Sequence, residues 1–175
     1  MTPQRLFFAL WPPAAVRAAL QAALSHLPAP PGRAMQHADW HLTLAFIGDC
    51  DAARCDCLLT AAATVQAPGF ALRLDRAGYF AGARVAWAGC SQPPAALHTL
   101  RTSLDAALHT CGRQPEARPF VPHVTLARYG TPWPQAPLPP VEWPVRAFVL
   151  AESLPAPAAP RYAILQRWPL LEPAA

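Results

Sequence analysis

The chain carries at Phe120-Val121-Pro122-His123-Val124-Thr125-Leu126-Ala127-Arg128 a pattern that is also present at Trp40-His41-Leu42-Thr43-Leu44-Ala45-Phe46. Both copies contain His-x-Thr-Leu-Ala among apolar and β-branched residues, which is typical of a β-strand. Side chains alternate between the faces of a strand, so each His and the Thr two residues later project from one face, roughly 7 Å apart. If the two strands face each other across a cleft, two imidazoles and two hydroxyls surround one site. That arrangement favours acid and base chemistry on a phosphodiester.

The composition is that of a globular protein with a substantial core. The 175 residues are 53% hydrophobic, and their number favours a single domain spanning residues 1–175, with two small lobes as the other division. All 14 basic residues are arginine, and the formal charge is +4. A basic balance of this size favours a polyanionic partner only weakly, and a mildly basic protein without such a partner explains it equally well.

The N-terminal sequence and the length of the apolar runs indicate the expected cellular location. The apolar run after Arg5, from Leu6 to Trp11, is too short for a signal sequence and has no small-residue cleavage site after it. No run approaches the roughly 18 apolar residues of a membrane span. We therefore expect a cytoplasmic monomer with no membrane partner.

The five cysteines are odd in number, and their spacing lacks the paired C-x2-C of a structural zinc site. We expect reduced thiols and no metal or other cofactor, with metal binding or a redox role as the alternative. The residues concerned are Cys50, Cys55, Cys57, Cys90 and Cys111.

Hydrophobic periodicity and turn residues predict an α+β protein of the order β-α-β-α-β-β-α-β-β-β. The prolines and glycines that separate the periodic segments set most of the boundaries. Strands are predicted at 5–10, 40–48, 70–80, 84–88, 121–128, 141–153 and 161–168. Helices are predicted at 14–26, from Asp49 or Asp51 to 65, and at 93–111, and loops without secondary structure at 33–39, 113–118, 131–140 and 154–160.

The two His-x-Thr-Leu motifs, the opening Arg5-Leu6-Phe7-Phe8-Ala9-Leu10 and the stretch from Pro122 to Arg128 resemble the 2H phosphoesterase superfamily. Within it they resemble the bacterial RNA 2′,3′-cyclic phosphodiesterases, also described as 2′-5′ RNA ligases. The resemblance implies a bilobal α+β fold of two pseudo-symmetric antiparallel-sheet lobes, with helices outside and a central cleft. It also implies no required metal, and hydrolysis of 2′,3′-cyclic phosphates on RNA ends or nucleotides to 2′-phosphomonoesters, with reversible 2′-5′ ligation as a further activity.

The resemblance also implies roles for five side chains. His41 is the proton donor and His123 the proton acceptor, while Thr43 and Thr125 bind the phosphate oxygens. An unperturbed imidazole pKa near 6.5 allows one ring to be neutral and the other protonated at neutral pH, and repulsion between like charges across the cleft would separate the two apparent pKa values. Arg128 matches the family's phosphate-binding arginine, but its odd offset from His123 directs it away from the cleft unless the strand bulges or ends.

Aromatic residues near the motifs are candidates for stacking on an RNA base. Phe8 and Phe46 are the two we single out, although strand aromatics more often belong to the core. The remaining histidines lack a Thr partner and are interpreted as ordinary helix or loop residues; they are His26, His37, His98 and His109.

Two other classes of function remain open at this point. One is a nucleotide-binding or RNA-end-binding module with little or no turnover, although binding alone does not need two opposed proton carriers. The other is a zinc hydrolase, which is disfavoured because the histidines are not spaced as ligands on one element.

Overall fold

The computed structural model of the chain describes residues 4–155 and 160–172. Four residues of the predicted loop at 154–160, residues 156–159, lie outside this described part. A 3₁₀ turn covers His37–Asp39. The other elements are β1 (Gln4–Leu10), α1 (Ala14–Leu24), β2 (Arg33–Ala34), β3 (Leu42–Cys50), α2 (Ala52–Ala62), β4 (Phe70–Phe80), β5 (Val85–Gly89), α3 (Ala95–His109), β6 (His123–Arg128), β7 (Ala136–Val145), β8 (Ala147–Ser153) and β9 (Tyr162–Pro169).

The strands form an antiparallel sheet in the order β7-β4-β5-β6-β3-β1-β8-β9, with β2 added beside β6. Strands β3 and β6, which carry the two motifs, meet at its centre. Among the described residues a single pair, Leu42 with Val124, joins them. The sheet therefore consists of two halves, β3-β1-β8-β9 and β6-β5-β4-β7, that separate on either side of this pair. The predicted α+β fold with two sheet lobes is confirmed.

The two halves are equivalent in topology. In each, the motif strand pairs with a strand that precedes it in the sequence, β1 for β3 and β5 for β6. Next to these lie β8 in one half and β4 in the other, followed by the outer strands β9 and β7. A helix connects β1 to the region before β3, and another connects β5 to β6. The repeated sequence motif thus lies at equivalent positions of a repeated architecture.

One face of the sheet packs against the helices, and the other forms the cleft. On the helical face, Phe8 and the leucines of α3 belong to one large core, in which Leu97, Leu100, Leu104 and Leu108 are fully buried. On the other face, Phe7 and Ala9 belong to a small separate cluster. Burying the leucine stripe is the main stabilisation available to α3, because each fully buried Leu contributes roughly 1.5–3 kcal/mol.

Helix α2 begins at the second of the two predicted caps. The Asp51 carboxylate accepts a hydrogen bond from the backbone N–H of Arg54 at 2.8 Å, which satisfies one of the free N–H groups of the first turn. No helix in the described ranges is long and apolar enough to cross a membrane.

The prediction of a structureless loop at 131–140 is wrong for its second half. Strand β7 starts at Ala136 and includes Pro137, Pro139 and Pro140. It is the outermost strand of its half-sheet, and an edge strand tolerates proline because one side of its backbone has no partner to donate to. The predicted strand at 141–153 is in fact two strands, β7 and β8, which are separated at Arg146.

The predicted loop at 33–39 also contains structure. Arg33 and Ala34 form β2 by pairing with Arg128 and Ala127 of β6. Gly32 precedes them with φ +96°, and a Cβ there would meet the carbonyl oxygen of Arg128. Glycine is thus required for this close approach.

The prediction that all cysteines are reduced is wrong for one pair. Cys57 in α2 and Cys111 after α3 form a disulfide with Cα atoms 5.8 Å apart. They are 54 residues apart in sequence, so only the packing of α2 against α3 brings them together. Cys50, Cys55 and Cys90 are free thiols.

Candidate active site

His41 lies immediately before β3 and is 7% exposed. Its Nδ1–H donates to the carbonyl oxygen of Asp39 at 2.7 Å. A carbonyl can only accept, so this hydrogen bond fixes the proton of the neutral ring on Nδ1 and leaves Nε2 with a free lone pair.

His123 begins β6 and is held in the same way. Its Nδ1–H donates to the carbonyl oxygen of Val121 at 2.7 Å, again two residues upstream. The two motif histidines therefore share one tautomer and one orienting contact. Each presents Nε2 as the atom available for proton transfer.

Aromatic rings fix the plane of each imidazole. Trp11 stacks on His41 with ring centroids 5.1 Å apart and an interplanar angle of 13°, while Phe7 lies 4.8 Å away. Tyr162 contacts the same ring edge-on at 4.9 Å. Phe80 contacts His123 edge-on at 4.9 Å. These contacts limit rotation of both rings, more so for His41.

Two adjoining cavities open on the cleft face. The first, of about 360 Å³, is lined by His41, and the second, of about 760 Å³, is lined by His123 and Thr125. The residues that line both are Thr43, Phe46 and Arg128. The structure thus places the four motif residues and Arg128 around two cavities that share a boundary, with a histidine on each side of it.

The register at the sheet centre explains this placement. Because Leu42 pairs with Val124 in antiparallel register, Thr43 lies toward His123 and His41 toward Thr125. Leu42 and Val124 themselves are fully buried on the opposite, helical face. Each histidine therefore has the threonine of the other motif as its cross-strand neighbour.

A bulge in β6 turns Arg128 toward the cleft. Thr125 pairs with Trp87 and Ala127 pairs with Ala86, so Leu126 is an extra residue without a partner of its own. One extra residue reverses the alternation of side chains beyond it. The odd offset between His123 and Arg128 is thereby compensated, and Arg128 lines both cavities.

Strand β3 has the equivalent bulge. Thr43 pairs with Ala9 and Ala45 pairs with Phe8, which leaves Leu44 as the extra residue. Phe46, at the position of the first motif that corresponds to Arg128 in the second, is thereby directed to the cleft. It is 48% exposed and lines both cavities.

The stacking assignment of Phe8 is wrong. Phe8 is fully buried and packs against Phe148 and Trp168 in the large core. Its neighbour Phe7 is the residue of β1 on the cleft face, where it pairs with Phe46 and contacts His41. Successive residues of a strand face opposite sides, so the choice between Phe7 and Phe8 depends on which face the helices cover.

Burial decides the ionisation of both histidines. It lowers the pKa of His41 from 6.5 to about 4, and the charges of Arg128 and His123 act in the same direction, against the hydrogen bond to Asp39. Burial also lowers the pKa of His123, with Arg128 adding to the effect. Both shifts favour the neutral form of each ring in the free protein.

Sequence reasoning missed several residues of the site because they come from distant segments. Arg113 is buried and pairs with Asp105 at 3.0 Å. It also donates to the carbonyl oxygen of Phe46 at 3.1 Å and so stabilises the backbone at the boundary between the cavities. No local pattern marks such a residue. Further residues that line the cleft or contact its histidines include Arg5, Phe7, Trp11, Arg33, Phe80, Arg161 and Tyr162.

The side chains able to ligate a metal are dispersed. Within residues 4–155 and 160–172, no three of the His, Cys, Asp and Glu side chains come together in an arrangement that could hold a metal ion.

Known proteins share this sequence and architecture. The profile of the 2′-5′ RNA ligase superfamily matches residues 11–155. An RNA 2′,3′-cyclic phosphodiesterase of Escherichia coli is 38% identical over 173 residues, covering 97% of this chain and 98% of that protein. One from Thermus thermophilus is 34% identical, covering 95% and 90%. The crystal structure of E. coli LigT complexed with 3′-AMP is 37% identical, with a TM-score of 0.85 over 96% of this chain and 98% of that one.

Proposed function

The chain belongs to the 2′-5′ RNA ligase superfamily, and on this premise we propose that it hydrolyses RNA 2′,3′-cyclic phosphate ends to 2′-phosphomonoesters. The observation that carries the proposal is the pair of histidines, each with Nδ1 bonded to a backbone carbonyl and Nε2 free, on either side of a shared boundary. Two opposed proton carriers suit an in-line displacement at phosphorus.

The reaction divides between the two histidines. His123 accepts a proton from water as the water oxygen attacks phosphorus. The bond from phosphorus to O3′ breaks opposite the attacking oxygen, and His41 donates a proton to O3′. The bond to O2′ stays, so the products are a 2′-phosphomonoester and a 3′-hydroxyl, and one proton returns through solvent from His123 to His41 before the next turnover.

The non-bridging oxygens are bound at the boundary of the two cavities. Thr43 and Thr125 donate hydroxyl hydrogen bonds to them, and Arg128 supplies a charged donor. Preorganised donors of this kind stabilise the charge on phosphorus oxygens in the transition state. Phe46, exposed beside them, is the remaining candidate for stacking on the base.

The same geometry serves 2′-5′ ligation when a 5′-hydroxyl replaces water. The cavity on the His123 side measures about 760 Å³ and is lined by Phe80 and Phe120, so it has room for a nucleoside. Ligation is the second candidate activity, and its attacking strand would occupy this side.

One experiment separates the enzyme from a binding module. Purified protein is incubated with an oligoribonucleotide ending in a 2′,3′-cyclic phosphate, with and without EDTA, and the terminal phosphate is identified. We expect a 2′-phosphate in both samples. Binding without conversion would indicate the binding module, and activity lost in EDTA and restored by zinc would indicate a metal hydrolase.

The pH dependence of turnover follows from the two lowered pKa values. His41 must carry a proton and His123 must be neutral. The rate therefore falls below the lower and above the higher of two apparent pKa values. Burial lowers both in the free protein, so kcat/KM should follow a bell with its maximum below about 6.5, the ordinary histidine pKa. A bound phosphate anion favours the protonated ring, so the alkaline limb of kcat should lie at higher pH than that of kcat/KM.

Initial rates across a pH series, fitted separately for kcat and kcat/KM, check this prediction. A maximum of kcat/KM well above the ordinary histidine pKa would mean that burial does not govern the two rings.

We also propose that the 175 residues form one domain of two lobes acting as a cytoplasmic monomer. The joining of both half-sheets into one sheet, with residues of both halves lining the cavities, supports the single domain of two lobes.

A further inference from the structure

The cavity on the His41 side is strongly basic. Its lining includes Arg5, Arg33, Arg128 and Arg161, and no carboxylate of residues 4–155 or 160–172 contributes to it. Within the described part of the chain, no Asp or Glu side chain lies within salt-bridge distance of these four guanidinium groups. The His123 side differs, because there Glu116 pairs with Arg118 at 2.9 Å. An anion is therefore favoured on the His41 side beyond what Arg128 alone would bind.

The strand register places two of these charges directly opposite each other. Arg33 of β2 pairs with Arg128 of β6. Like charges directly opposite in a ladder destabilise the pair. Gly32, whose positive φ and lack of a Cβ allow β2 to approach Arg128, makes this pairing possible. A bound anion between the two guanidinium groups would turn the repulsion into attraction.

The guanidinium groups are oriented by their surroundings. Arg5 lies over the ring of Phe46 at 5.1 Å, and Arg33 lies over the ring of Tyr129 at 5.2 Å. Such cation–π contacts hold a planar guanidinium without using its N–H donors. The donors stay available for an oxygen ligand.

Arg161 is positioned through its backbone. The buried carboxylate of Asp39 accepts from the Arg161 backbone N–H, with both oxygens at 3.2 Å, so it engages the main chain of Arg161. The Nε of Arg161 is buried and has no hydrogen-bond partner among the described residues. A buried guanidinium donor without a partner is costly, and a phosphate oxygen would satisfy it.

The direction of the reaction identifies which anion reaches this cavity. In the proposed reaction the phosphorus lies where the cavities meet, and Thr43 and Arg128 line both cavities there. His41 protonates O3′, so the ribose and its 5′ substituent lie on the His41 side. The first anionic group in that direction is the phosphate on O5′ of the same nucleotide.

We propose that Arg5, Arg33 and Arg161 form a second phosphate subsite, which binds the 5′-phosphate group of the nucleotide that carries the cyclic phosphate. This rests on the proposed function, which sets the direction of the substrate. The group is either the phosphodiester that joins the last two nucleotides of an RNA or the 5′-monoester of a single nucleotide. The enzyme then acts faster on substrates that extend past a lone nucleoside cyclic phosphate.

The subsite is tested first by binding, without turnover. Calorimetric titration compares adenosine 2′-phosphate with adenosine 2′,5′-bisphosphate. Charge-assisted hydrogen bonds predict that the bisphosphate binds about 10- to 100-fold more tightly. Arg33→Gln and Arg161→Gln should each reduce this ratio several-fold, whereas Arg146→Gln, an exposed arginine that lines neither cavity, should keep it. Equal binding of the two ligands by the wild type would overturn the subsite.

Turnover then identifies the source of the phosphate. The substrates are adenosine 2′,3′-cyclic phosphate with a free 5′-hydroxyl, the same compound with a 5′-phosphate, and the dinucleotide ApA ending in a 2′,3′-cyclic phosphate. We expect kcat/KM about tenfold higher for both extended substrates. If kcat/KM is higher only for the substrate with a 5′-monoester, the subsite is supported and serves mononucleotides. If kcat/KM is higher only for ApA, the added nucleoside explains the increase and the phosphate subsite is overturned.

The two hypotheses fail in different ways. If no cyclic substrate is converted but the bisphosphate binds more tightly in an Arg161-dependent manner, the proposed function is wrong and the subsite stands. If all substrates are converted equally and the two ligands bind alike, the function stands and the subsite is wrong.

Discussion

Replacement of His41 or His123 by alanine is expected to lower kcat for a 2′,3′-cyclic phosphate about 10²- to 10⁴-fold, because each substitution removes the general acid or the general base of the proposed reaction. The double variant should lose far less than the product of the two effects, since the residues act as a unit in one proton-transfer sequence. Substrate affinity should change much less than kcat. These effects are measured by steady-state kinetics of all three variants on the dinucleotide ApA ending in a 2′,3′-cyclic phosphate. Circular dichroism establishes that each variant is folded.

His26→Ala is the matched control, because His26 is exposed and lines neither cavity. It should retain wild-type kcat. Substantial turnover in a folded His41→Ala or His123→Ala protein would mean that the repeated motif has an architectural role and that the chemistry lies elsewhere.

Substitution of the motif threonines is expected to lower kcat/KM less than substitution of the histidines. In the proposed reaction each hydroxyl is a neutral donor to a phosphate oxygen, which contributes about 0.5–1.5 kcal/mol in net terms. Thr43→Ala and Thr125→Ala should therefore reduce kcat/KM by a smaller factor than either histidine variant. A threonine variant as inactive as His123→Ala would require a more direct role for that hydroxyl.

The second large effect is expected at Arg128. Arg128 lines both cavities where they meet. Arg128→Gln should lower kcat/KM about 10²-fold, because it removes the charged donor to the phosphate in the proposed reaction. Arg128→Lys should recover part of the loss, since it restores the charge but not the planar, two-pronged donor geometry. Inhibition by inorganic phosphate should be weaker in both variants than in the wild type, and weakest in Arg128→Gln.

Arg146→Gln again serves as the control for loss of one positive charge. Should Arg128→Gln turn over substrate as fast as this control, the bulge at Leu126 would have no consequence for phosphate binding. The experiment thus also tests why β6 carries an extra residue between Thr125 and Arg128.

Several elements of the fold follow from local pattern alone. The helices around Val16 and Leu104 have apolar residues at helical spacing, and Asp51 is a cap that local chemistry favours. Strand β7 does not follow, because proline disfavours a strand except at an edge, and edge position is a property of the assembled sheet. The Cys57–Cys111 disulfide does not follow either, since it depends on how α2 packs against α3.

The sequence by itself determined the chemistry of the candidate site. His-x-Thr is a local pattern, and the period of two in a strand places both side chains on one face whatever the rest of the chain does. Its repetition singled out two histidines and two threonines, the family resemblance added Arg128, and the structure brings these five residues around one cleft.

Only the tertiary structure decided which other residues join them. The bulges at Leu44 and Leu126 exist only relative to partner strands β1 and β5, and they turn Phe46 and Arg128 to the cleft. The face covered by helices selects Phe7 over Phe8, and burial, which no sequence window reports, lowers the pKa of both histidines. Strand alternation is set by neighbouring residues, whereas register, burial and the meeting of Arg5, Arg33 and Arg161 in one cavity are set by contacts between segments far apart in the chain.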